Sequence, residues 1–367
     1  MAVLRIQLDN ILCFNDLEAD FSYPKKLVNS PLPMEYLKNY PNIRYKKVNV
    51  LIGSNATGKT SLGRVIWTTL RFILNKEGDR LKEIVSNPLK DAFIMLDCVF
   101  STGLFFRIEI KILSSGDVLA RYNPIMLNKN DTYESLLSRI DNTKTFNNYV
   151  IELQNAVSGG WYFLFPTIET GFDTISCKYD RDDRDFIEIY EKVLKTFDCS
   201  IKSVIKSKEQ KDSYVIHFHD GRTVRVTNGE SLSGLKGLSS GTKYAINVAG
   251  LLCAIKNHDN GFYYVDEQFS YVNSEIEVAC LSTMIDLLGD GEQLFLTTHN
   301  KDILSMPLPN HSFNFLKKER DSRGKEHIKM INVSEFEKRN NVNPRNLYDN
   351  DYCHLRISLN SSSFCIA

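Results

Sequence analysis

Short apolar runs separated by polar turns recur along the chain and predict alternating strands and helices. Residues 47–52 form an apolar, β-branched run that predicts a buried strand, and residues 61–73 carry apolar side chains at helical spacing. Two later apolar runs, residues 262–265 and 293–298, end in polar residues and also predict strands. This alternation predicts an α/β fold.

A glycine-rich loop, residues 53–60 (GSNATGKT), joins the first of these strands to the helix. It fits the phosphate-binding pattern G-x-x-x-x-G-K-[ST], and strand, loop and helix follow in the order that the motif requires. Gly53 and Gly58 allow backbone N–H groups to surround a phosphate at the positive end of the helix. Lys59 is expected to reach the β- and γ-phosphate oxygens, and the Thr60 hydroxyl to bind Mg²⁺. The alternative interpretation is an ordinary glycine turn.

Three further elements follow along the chain. Residues 238–242 (LSSGT) open a predicted helix at 243–255, and residues 262–267 (FYYVDE) are an apolar strand that ends in the acidic pair Asp266 and Glu267. Residues 293–300 (QLFLTTHN) are another apolar strand that ends at His299. Each element alone has a plainer interpretation, since acidic strand ends are commonly solvated and single histidines are commonly structural. Their common order is the stronger signal.

Together these motifs resemble the ATPase heads of the SMC/RecF/OLD-like branch of ABC ATPases. Residues 238–242 are similar to the LSGGQ signature, residues 262–267 to a Walker B motif, and His299 to the switch histidine. The opening residues 4–14 (LRIQLDNILCF) are similar to the first strand of such heads. Together with the form of residues 55–62, this strand is typical of stand-alone ATPases in bacterial anti-phage systems of the PARIS, Septu and abortive-infection kind. The resemblance therefore implies a P-loop NTPase with an ABC-type head, ATP and Mg²⁺ as cofactors, and hydrolysis of ATP to ADP and phosphate.

The resemblance also implies roles for individual residues. Two heads are expected to dimerise around two ATP molecules, each held by one subunit's P-loop and closed by the other subunit's signature. Asp266 and Thr60 are expected to hold Mg²⁺, Glu267 to activate the attacking water, and His299 to sense the γ-phosphate. The residues expected to bind the nucleotide are Gly53, Asn55, Gly58, Lys59, Thr60, Ser61, Ser239, Gly241 and Thr242.

Two parts of such heads are missing from the sequence. No glutamine follows the strand-like segment 92–100, where a Q-loop is expected, and residues 268–273 (QFSYVN) lack the usual D-loop aspartate. Slow turnover is therefore expected.

Composition narrows the class of protein. The chain has 367 residues, of which 43% are hydrophobic, and its formal net charge is +0. Global charge therefore gives no reason to expect nonspecific DNA binding, and a nucleic-acid partner stays open. The eight cysteines include no C-x-x-C pair and predict reduced core thiols. With no leader sequence and no apolar run of the ~20 residues that a membrane helix needs, a cytoplasmic protein without a membrane contact is expected.

The predicted organisation is a two-lobed head with a compact, mostly helical insertion. Lobe I with the P-loop spans residues 1–113, the insertion spans 114–230, and lobe II with the signature, acidic pair and histidine spans 231–350. Residues 351–367 are expected to be a disordered tail. The insertion is too short for a long coiled coil and is expected to be a lid or arm that contains a hairpin near Asp220 and Gly221.

The chain is expected to act through a partner. Too few residues follow His299 for a nuclease domain, so the resemblance implies control of a separate effector, a toxin or nuclease, as the sensor of an anti-phage system. Two alternatives stay open at this point. One is a RecF-like DNA-repair ATPase that clamps DNA, and the other is an ATP-sensing scaffold with negligible turnover.

Overall fold

The computed structural model describes residues 1–23, 30–148, 160–165, 184–210, 213–227, 236–258, 261–269, 272–320, 326–337 and 343–349. The predicted tail, residues 351–367, lies outside this described part of the chain. The strands are β1 Ala2–Asp9, β2 Leu17–Asp20, β3 Tyr36–Leu37, β4 Tyr40–Arg44, β5 Val48–Ile52, β6 Ala92–Val99, β7 Leu104–Ile112, β8 Val118–Met126, β9 Trp161–Leu164, β10 Ile201–Lys206, β11 Ser213–Phe218, β12 Thr223–Thr227, β13 Phe262–Asp266, β14 Gln293–Thr298, β15 Phe313–Arg320 and β16 Glu326–Asn332. The helices are α1 Lys59–Asn75, α2 Gly78–Glu83, α3 Tyr133–Ser138, α4 Arg184–Phe197, α5 Ser240–Lys256, α6 Ser274–Leu287, α7 Val333–Phe336 and α8 Pro344–Asp349.

A six-stranded sheet in the order β16-β15-β5-β14-β13-β9 forms the centre of the fold. All neighbouring pairs in it are parallel except β15 and β16, which form an antiparallel hairpin. Every residue of β5, β13 and β14 is buried, as expected for parallel strands that are covered on both faces. The three strands predicted from the apolar runs are therefore confirmed.

Two apolar clusters cover the two faces of this sheet. Side chains alternate between them, so that Leu294 and Leu296 belong to one cluster and Phe295 to the other. The first cluster includes α4, α5 and the strands β10 to β12, and the second includes α1 and the strands β1 and β6. The P-loop helix and the signature helix therefore lie on opposite faces of the sheet.

A second, antiparallel sheet has the order β2-β1-β6-β7-β8. It contains the hairpin of β6 and β7, whose first strand corresponds to the strand-like segment 92–100, with Gly103 in its turn at φ 89°. The domain boundaries at 113, 230 and 350 stay predictions, but the first lies between β7 and β8, which pair along their whole length.

The prediction of a mostly helical insertion is wrong for the described part of residues 114–230. That part holds the five strands β8 to β12 and the two helices α3 and α4. Strand β9 belongs to the central sheet, where it pairs with β13. The hairpin predicted near Asp220 and Gly221 corresponds to β11 and β12.

Three of the five described cysteines, Cys98, Cys253 and Cys280, are buried free thiols, whereas Cys13 is half-buried and Cys199 is exposed. The prediction of core thiols is therefore wrong for these last two. Among the described residues, no helix is both long enough and apolar enough to cross a membrane.

Candidate nucleotide site

The P-loop connects β5 to α1 and turns sharply at two residues with left-handed backbone conformations. Ala56 has φ 61° and Gly58 has φ 94°. A side chain at residue 58 would be strained by this conformation, and its Cβ would lie 2.8 Å from the ring of Phe14. Glycine is therefore required at position 58.

The N-terminus of α1 has backbone donors that no side chain satisfies. Gly58 is the N-cap and has no side chain that could accept a hydrogen bond from the first N–H groups of the helix. The first turn also contains no acidic residue. A 17-residue helix that begins in this way presents free N–H groups and the positive end of its dipole to solvent. Residues 54–56 beside it are exposed. The arrangement fits a phosphate group.

Gly53 occupies a position without room for a side chain. A Cβ there would lie 2.5 Å from Thr57 Oγ1 and 2.7 Å from the carbonyl oxygen of Leu316. The Thr57 hydroxyl also donates to the carbonyl oxygen of Ser54 across 2.8 Å. The loop is thus packed against β15 and closed by its own threonine.

Lys59 bends back over the loop that precedes it. Its Nζ donates to the carbonyl oxygens of Gly53 and Ser54 at 3.0 and 3.2 Å, and lies 3.4 Å from Glu267 Oε1. The side chain is only 4% exposed, and burial lowers the pKa of Lys59 while the Glu267 carboxylate opposes that effect. The ammonium group therefore sits between the loop carbonyls and the acidic pair.

Asp266 is fully buried and accepts two hydroxyl hydrogen bonds. Thr60 donates to Oδ2 across 2.7 Å and Thr297 donates to Oδ1 across 2.6 Å. Burial raises the pKa of Asp266, while these two hydroxyls lower it. A carboxylate beside a threonine hydroxyl is the kind of oxygen pair that Mg²⁺ binds. Thr60 and Asp266 therefore fit the predicted metal position.

Glu267 and His299 face each other next to Lys59. His299 Nε2 lies 2.8 Å from Glu267 Oε1, and the imidazole is 40% exposed. Glu267 has a left-handed backbone with φ 46°, held by its N–H, which donates to the Thr297 carbonyl at 3.3 Å and to the Thr297 hydroxyl at 3.1 Å. Such a conformation costs about 1–3 kcal/mol in a residue other than glycine, and strained residues of this kind cluster at functional sites.

The order of the strands explains why these side chains meet. Strand β14 lies between β5 and β13, so the three strands end side by side at one edge of the sheet. The P-loop follows β5, the acidic pair ends β13, and His299 follows β14. Ligand sites of open α/β sheets occur at this carboxyl edge.

The signature residues lie elsewhere in the same chain. Ser239 is the N-cap of α5, and its Oγ accepts from the Thr242 N–H across 3.0 Å. The Thr242 side chain is buried and donates to Asp198 Oδ2 across 3.0 Å. Ser239 is exposed and Gly241 half-buried. The fold thus brings Lys59, Thr60, Asp266, Glu267 and His299 together. It holds Thr242 against Asp198 instead, and Ser239 against Thr242.

Asn55 and Ser61 lie at the margin of the site. Asn55 is exposed in the P-loop, and Ser61 is half-buried beside Cys13, to whose thiol it is hydrogen-bonded. The role of Asn55 and Ser61 in nucleotide binding stays a prediction.

Sequence reasoning missed three residues of the site. Thr297 binds both Asp266 and Glu267, and Tyr264 donates to the Lys59 carbonyl oxygen across 2.6 Å. Asp198 holds the start of the signature helix. Thr297 comes shortly before His299 at the end of β14, so its place in the sequence could have indicated a role in the site. Asp198, by contrast, has no local sequence feature that marks it.

Other candidates from the sequence do not form sites. His217 and His219 alternate near the end of β11, but the described residues contain no cluster of three metal-binding side chains. Three basic residues of the hairpin of β15 and β16 are paired with acids: Lys317 with Glu319, and both Lys318 and Arg320 with Glu326. This pairing offsets part of the positive charge of the hairpin.

Comparison with solved structures finds SMC head domains that share this fold. The Smc head domain with an extended coiled coil derived from Pyrococcus furiosus, bound to the C-terminal domain of ScpA, has a TM-score of 0.54 and 10% identity, and the match covers 92% of this chain and 98% of that chain. An SmcHead bound to the C-winged helix domain of ScpA has a TM-score of 0.52 and 10% identity, with 92% and 100% covered. No protein-family model and no curated protein matches the sequence. The chain therefore shares the fold of these SMC head domains.

Proposed function

We propose that the chain binds Mg·ATP at the carboxyl edge of its parallel sheet and hydrolyses it to ADP and phosphate. The observation that carries the proposal is the convergence of Lys59, Thr60, Asp266, Glu267 and His299 from three neighbouring strand ends. Thr60 and Asp266 would hold Mg²⁺, which supplies charge neutralisation at the β- and γ-phosphate oxygens. Gly53, Gly58 and the start of α1 supply backbone donors to the same phosphates.

Lys59 binds the phosphates, and Glu267 acts in the reaction. The Lys59 ammonium group exchanges its contacts with the loop carbonyls for phosphate oxygens, which are charged and therefore stronger acceptors. Glu267 is the base that orients the attacking water and takes its proton. His299, within hydrogen-bond distance of Glu267 and partly exposed, is placed to contact the γ-phosphate and to register its loss.

Within a single chain the signature residues lie away from the P-loop and would not contact the nucleotide bound there. Ser239 and Gly241 begin a 17-residue helix whose exposed N-terminus is a second anion site. In a homodimer each of these helix starts closes the nucleotide held by the partner's P-loop. ATP then acts as the contact between subunits, and hydrolysis separates them.

The finer proposal concerns what the dimer controls. We infer a cytoplasmic regulator whose ATP-dependent dimerisation controls a protein effector, a toxin or nuclease, in anti-phage defence. Its support is the resemblance of residues 4–14 and 55–62 to ATPases of such systems. The two solved heads named above are each bound to a domain of ScpA, which supports a protein partner in general terms.

Sedimentation with and without Mg·ATP, with phosphate release followed on the same samples, tests the proposal. The comparison includes wild type, Lys59→Ala, Glu267→Gln and, as a matched exposed lysine, Lys90→Ala. Glu267→Gln is expected to form a stable ATP-bound dimer without phosphate release, Lys59→Ala to form none, and Lys90→Ala to behave as wild type. Assembly that ignores nucleotide would overturn the ATP-gated dimer.

Further outcomes separate the alternatives. ATP that stays intact in the wild type after long incubation identifies a nucleotide-binding scaffold. Salt-sensitive DNA binding that requires ATP identifies a DNA clamp, because phosphate contacts are displaced by salt. Co-purification of a toxin or nuclease that is released by Mg·ATP supports the regulator.

A further inference from the structure

Glu277 is a buried carboxylate outside the set of residues described above. It lies on α6, the helix that follows the acidic pair along the chain, and is 4% exposed. The other buried residues of this helix are Cys280, Leu281 and Met284, so Glu277 belongs to its apolar face. Burial raises the pKa of Glu277, and a carboxylate in such a place requires hydrogen-bond donors.

The donors come from the residues on either side of His299. The Asn300 Nδ2 group donates to Glu277 Oε2 across 2.9 Å, and the Thr298 hydroxyl is also hydrogen-bonded to this carboxylate. The nearby imidazole of His299 lowers the pKa of Glu277 further by its charge. One side chain of α6 thus holds both flanks of the histidine.

We define the switch loop as Thr298, His299 and Asn300. It is also held by hydrogen bonds of its own. The Asn300 N–H donates to Thr298 Oγ1 across 2.9 Å, and Asn300 Oδ1 accepts from the Asp302 N–H across 2.9 Å. Since both flanking side chains also bond Glu277, the loop has a fixed shape. His299 extends from it to Glu267.

Helix α6 is joined to the switch loop at a second point. Its first residue, Ser274, is hydrogen-bonded to Asp302, and Asn273 caps the helix by accepting from the Glu275 N–H across 3.1 Å. The start of α6 and the residues after His299 are therefore connected at Glu277 and at Asp302. A shift of one element displaces the other.

We propose that Glu277 is a positioning residue, which acts through the switch loop to hold His299 against Glu267 and couples the position of α6 to hydrolysis. The proposal rests on the proposed function, since it assigns regulation to the same site. Removing the carboxylate leaves the buried Thr298 hydroxyl and the half-buried Asn300 amide group without this acceptor, and such groups cause local rearrangement because their desolvation is no longer compensated. The switch loop then loses its fixed shape.

The first experiment needs no ATPase activity. Hydrogen exchange of the backbone amides of Asn300 and Asp302 is measured in wild type, Glu277→Ala, Glu277→Gln and Glu275→Ala. Glu275 is the matched control, since it lies on the same helix but is exposed. Exchange is expected to rise by about tenfold or more in Glu277→Ala, because these amides bond the side chains that Glu277 holds.

Glu277→Gln keeps one acceptor oxygen, so its exchange is expected to fall between wild type and Glu277→Ala. Glu275→Ala is expected to match wild type. The amides of β14 report whether the variants are folded, and Glu277→Gln replaces Glu277→Ala if the latter does not fold. Unchanged exchange at Asn300 and Asp302 would overturn the proposal.

The second experiment is a double-mutant cycle for ATP hydrolysis. Glu277→Ala is expected to lower kcat by roughly 10- to 100-fold, the range for a misplaced catalytic group, with less than about a twofold change in KM. In the His299→Ala background the same substitution is expected to have no further effect, because Glu277 acts through His299. Equal losses in both backgrounds would contradict this. A wild type that does not hydrolyse ATP refutes the proposed function, while hydrogen exchange still decides whether Glu277 holds the switch loop.

Discussion

The hydroxyl of Tyr264 donates a hydrogen bond to the carbonyl oxygen of Lys59 across 2.6 Å, although 205 positions separate the two residues in the chain. Tyr264 lies on β13, two residues before Asp266, and is fully buried. It also packs on Gly63, where a Cβ would lie 2.5 Å from the tyrosine ring. The strand that carries the acidic pair therefore fixes the first turn of the P-loop helix.

Replacing Tyr264 by Phe is expected to lower the free energy of unfolding by about 1–2 kcal/mol, because one buried hydrogen bond is lost. ATP affinity is expected to fall as well, since the first turn of α1 is held less firmly. Tyr263→Phe is the matched control, because its hydroxyl has longer bonds of 3.3 and 3.4 Å to Ala254 and Glu292 on the other face of the sheet. Denaturant unfolding and ATP titration measure both effects, and equal ATP affinity in the two variants would contradict the coupling.

Replacing Gly63 by Ala is expected to destabilise the protein by about 1–3 kcal/mol, the usual cost of forcing an extra carbon into a packed core. Gly78→Ala serves as the control, since the nearest atom to its Cβ, in Val118, is 3.8 Å away. Gly78 is also the first residue of α2, so the control is expected to be neutral or slightly stabilising. Thermal unfolding compares the two, and equal melting temperatures would show that Tyr264 can move aside.

Replacing Asp97 by Ala is expected to cost about 3–5 kcal/mol of stability, because it leaves a largely buried arginine without its partner. Asp97 is fully buried, accepts two hydrogen bonds from Arg107 at 2.7 and 2.6 Å, and accepts a third from the Tyr133 hydroxyl at 2.6 Å. Asp79→Ala breaks only an exposed pair with Lys82 and is expected to change stability little. Urea unfolding of both variants decides this, and a small effect of Asp97→Ala would show that Arg107 finds other acceptors or water.

Stability is expected to rise with pH between about 8 and 10.5 because of Lys46. Burial lowers the pKa of this lysine from 10.5 to about 8 in the folded protein. In that range the unfolded chain binds more protons than the folded one, so the free energy of unfolding increases with pH. Each pKa unit corresponds to about 1.4 kcal/mol, so this shift sets an upper limit of about 3.5 kcal/mol.

The measurement is the free energy of unfolding against pH for wild type, Lys46→Met and the exposed control Lys90→Met. Lys46→Met is expected to lose this part of the rise, whereas Lys90→Met is expected to keep it. Parallel curves for wild type and Lys46→Met would show that Lys46 keeps an ordinary pKa in the folded protein.

Local motifs made the centre of the site predictable. The glycine loop, the acidic pair and His299 each follow an apolar strand, and parallel strands that end in polar residues have their ends at one edge. Strand β9 was not predicted as part of this sheet, because a four-residue apolar run such as 161–164 carries no periodicity that separates a strand from other core segments. The position of β9 depends on its pairing with β13, about one hundred residues later.

The positioning residues were beyond the reach of sequence patterns for a related reason. Tyr264, Asp198 and Glu277 act through contacts with residues distant in the chain, and nothing in their neighbouring residues records those contacts. Glu277 in particular occupies a position of α6 that faces the core, where helical periodicity favours an apolar residue. A charged residue at such a position signals that a partner exists without identifying it.

The strand order also determines when the site can form during synthesis. The central sheet takes neighbouring strands from residues 48–52, 262–266 and 293–298, so the P-loop strand has its nearest partner only after β14 has left the ribosome. Domains generally fold as units as they emerge. A chain that stops before β14 therefore lacks the middle strand between the P-loop and the acidic pair. Any nucleotide binding at this edge of the sheet is thus expected only of chains that already include β14.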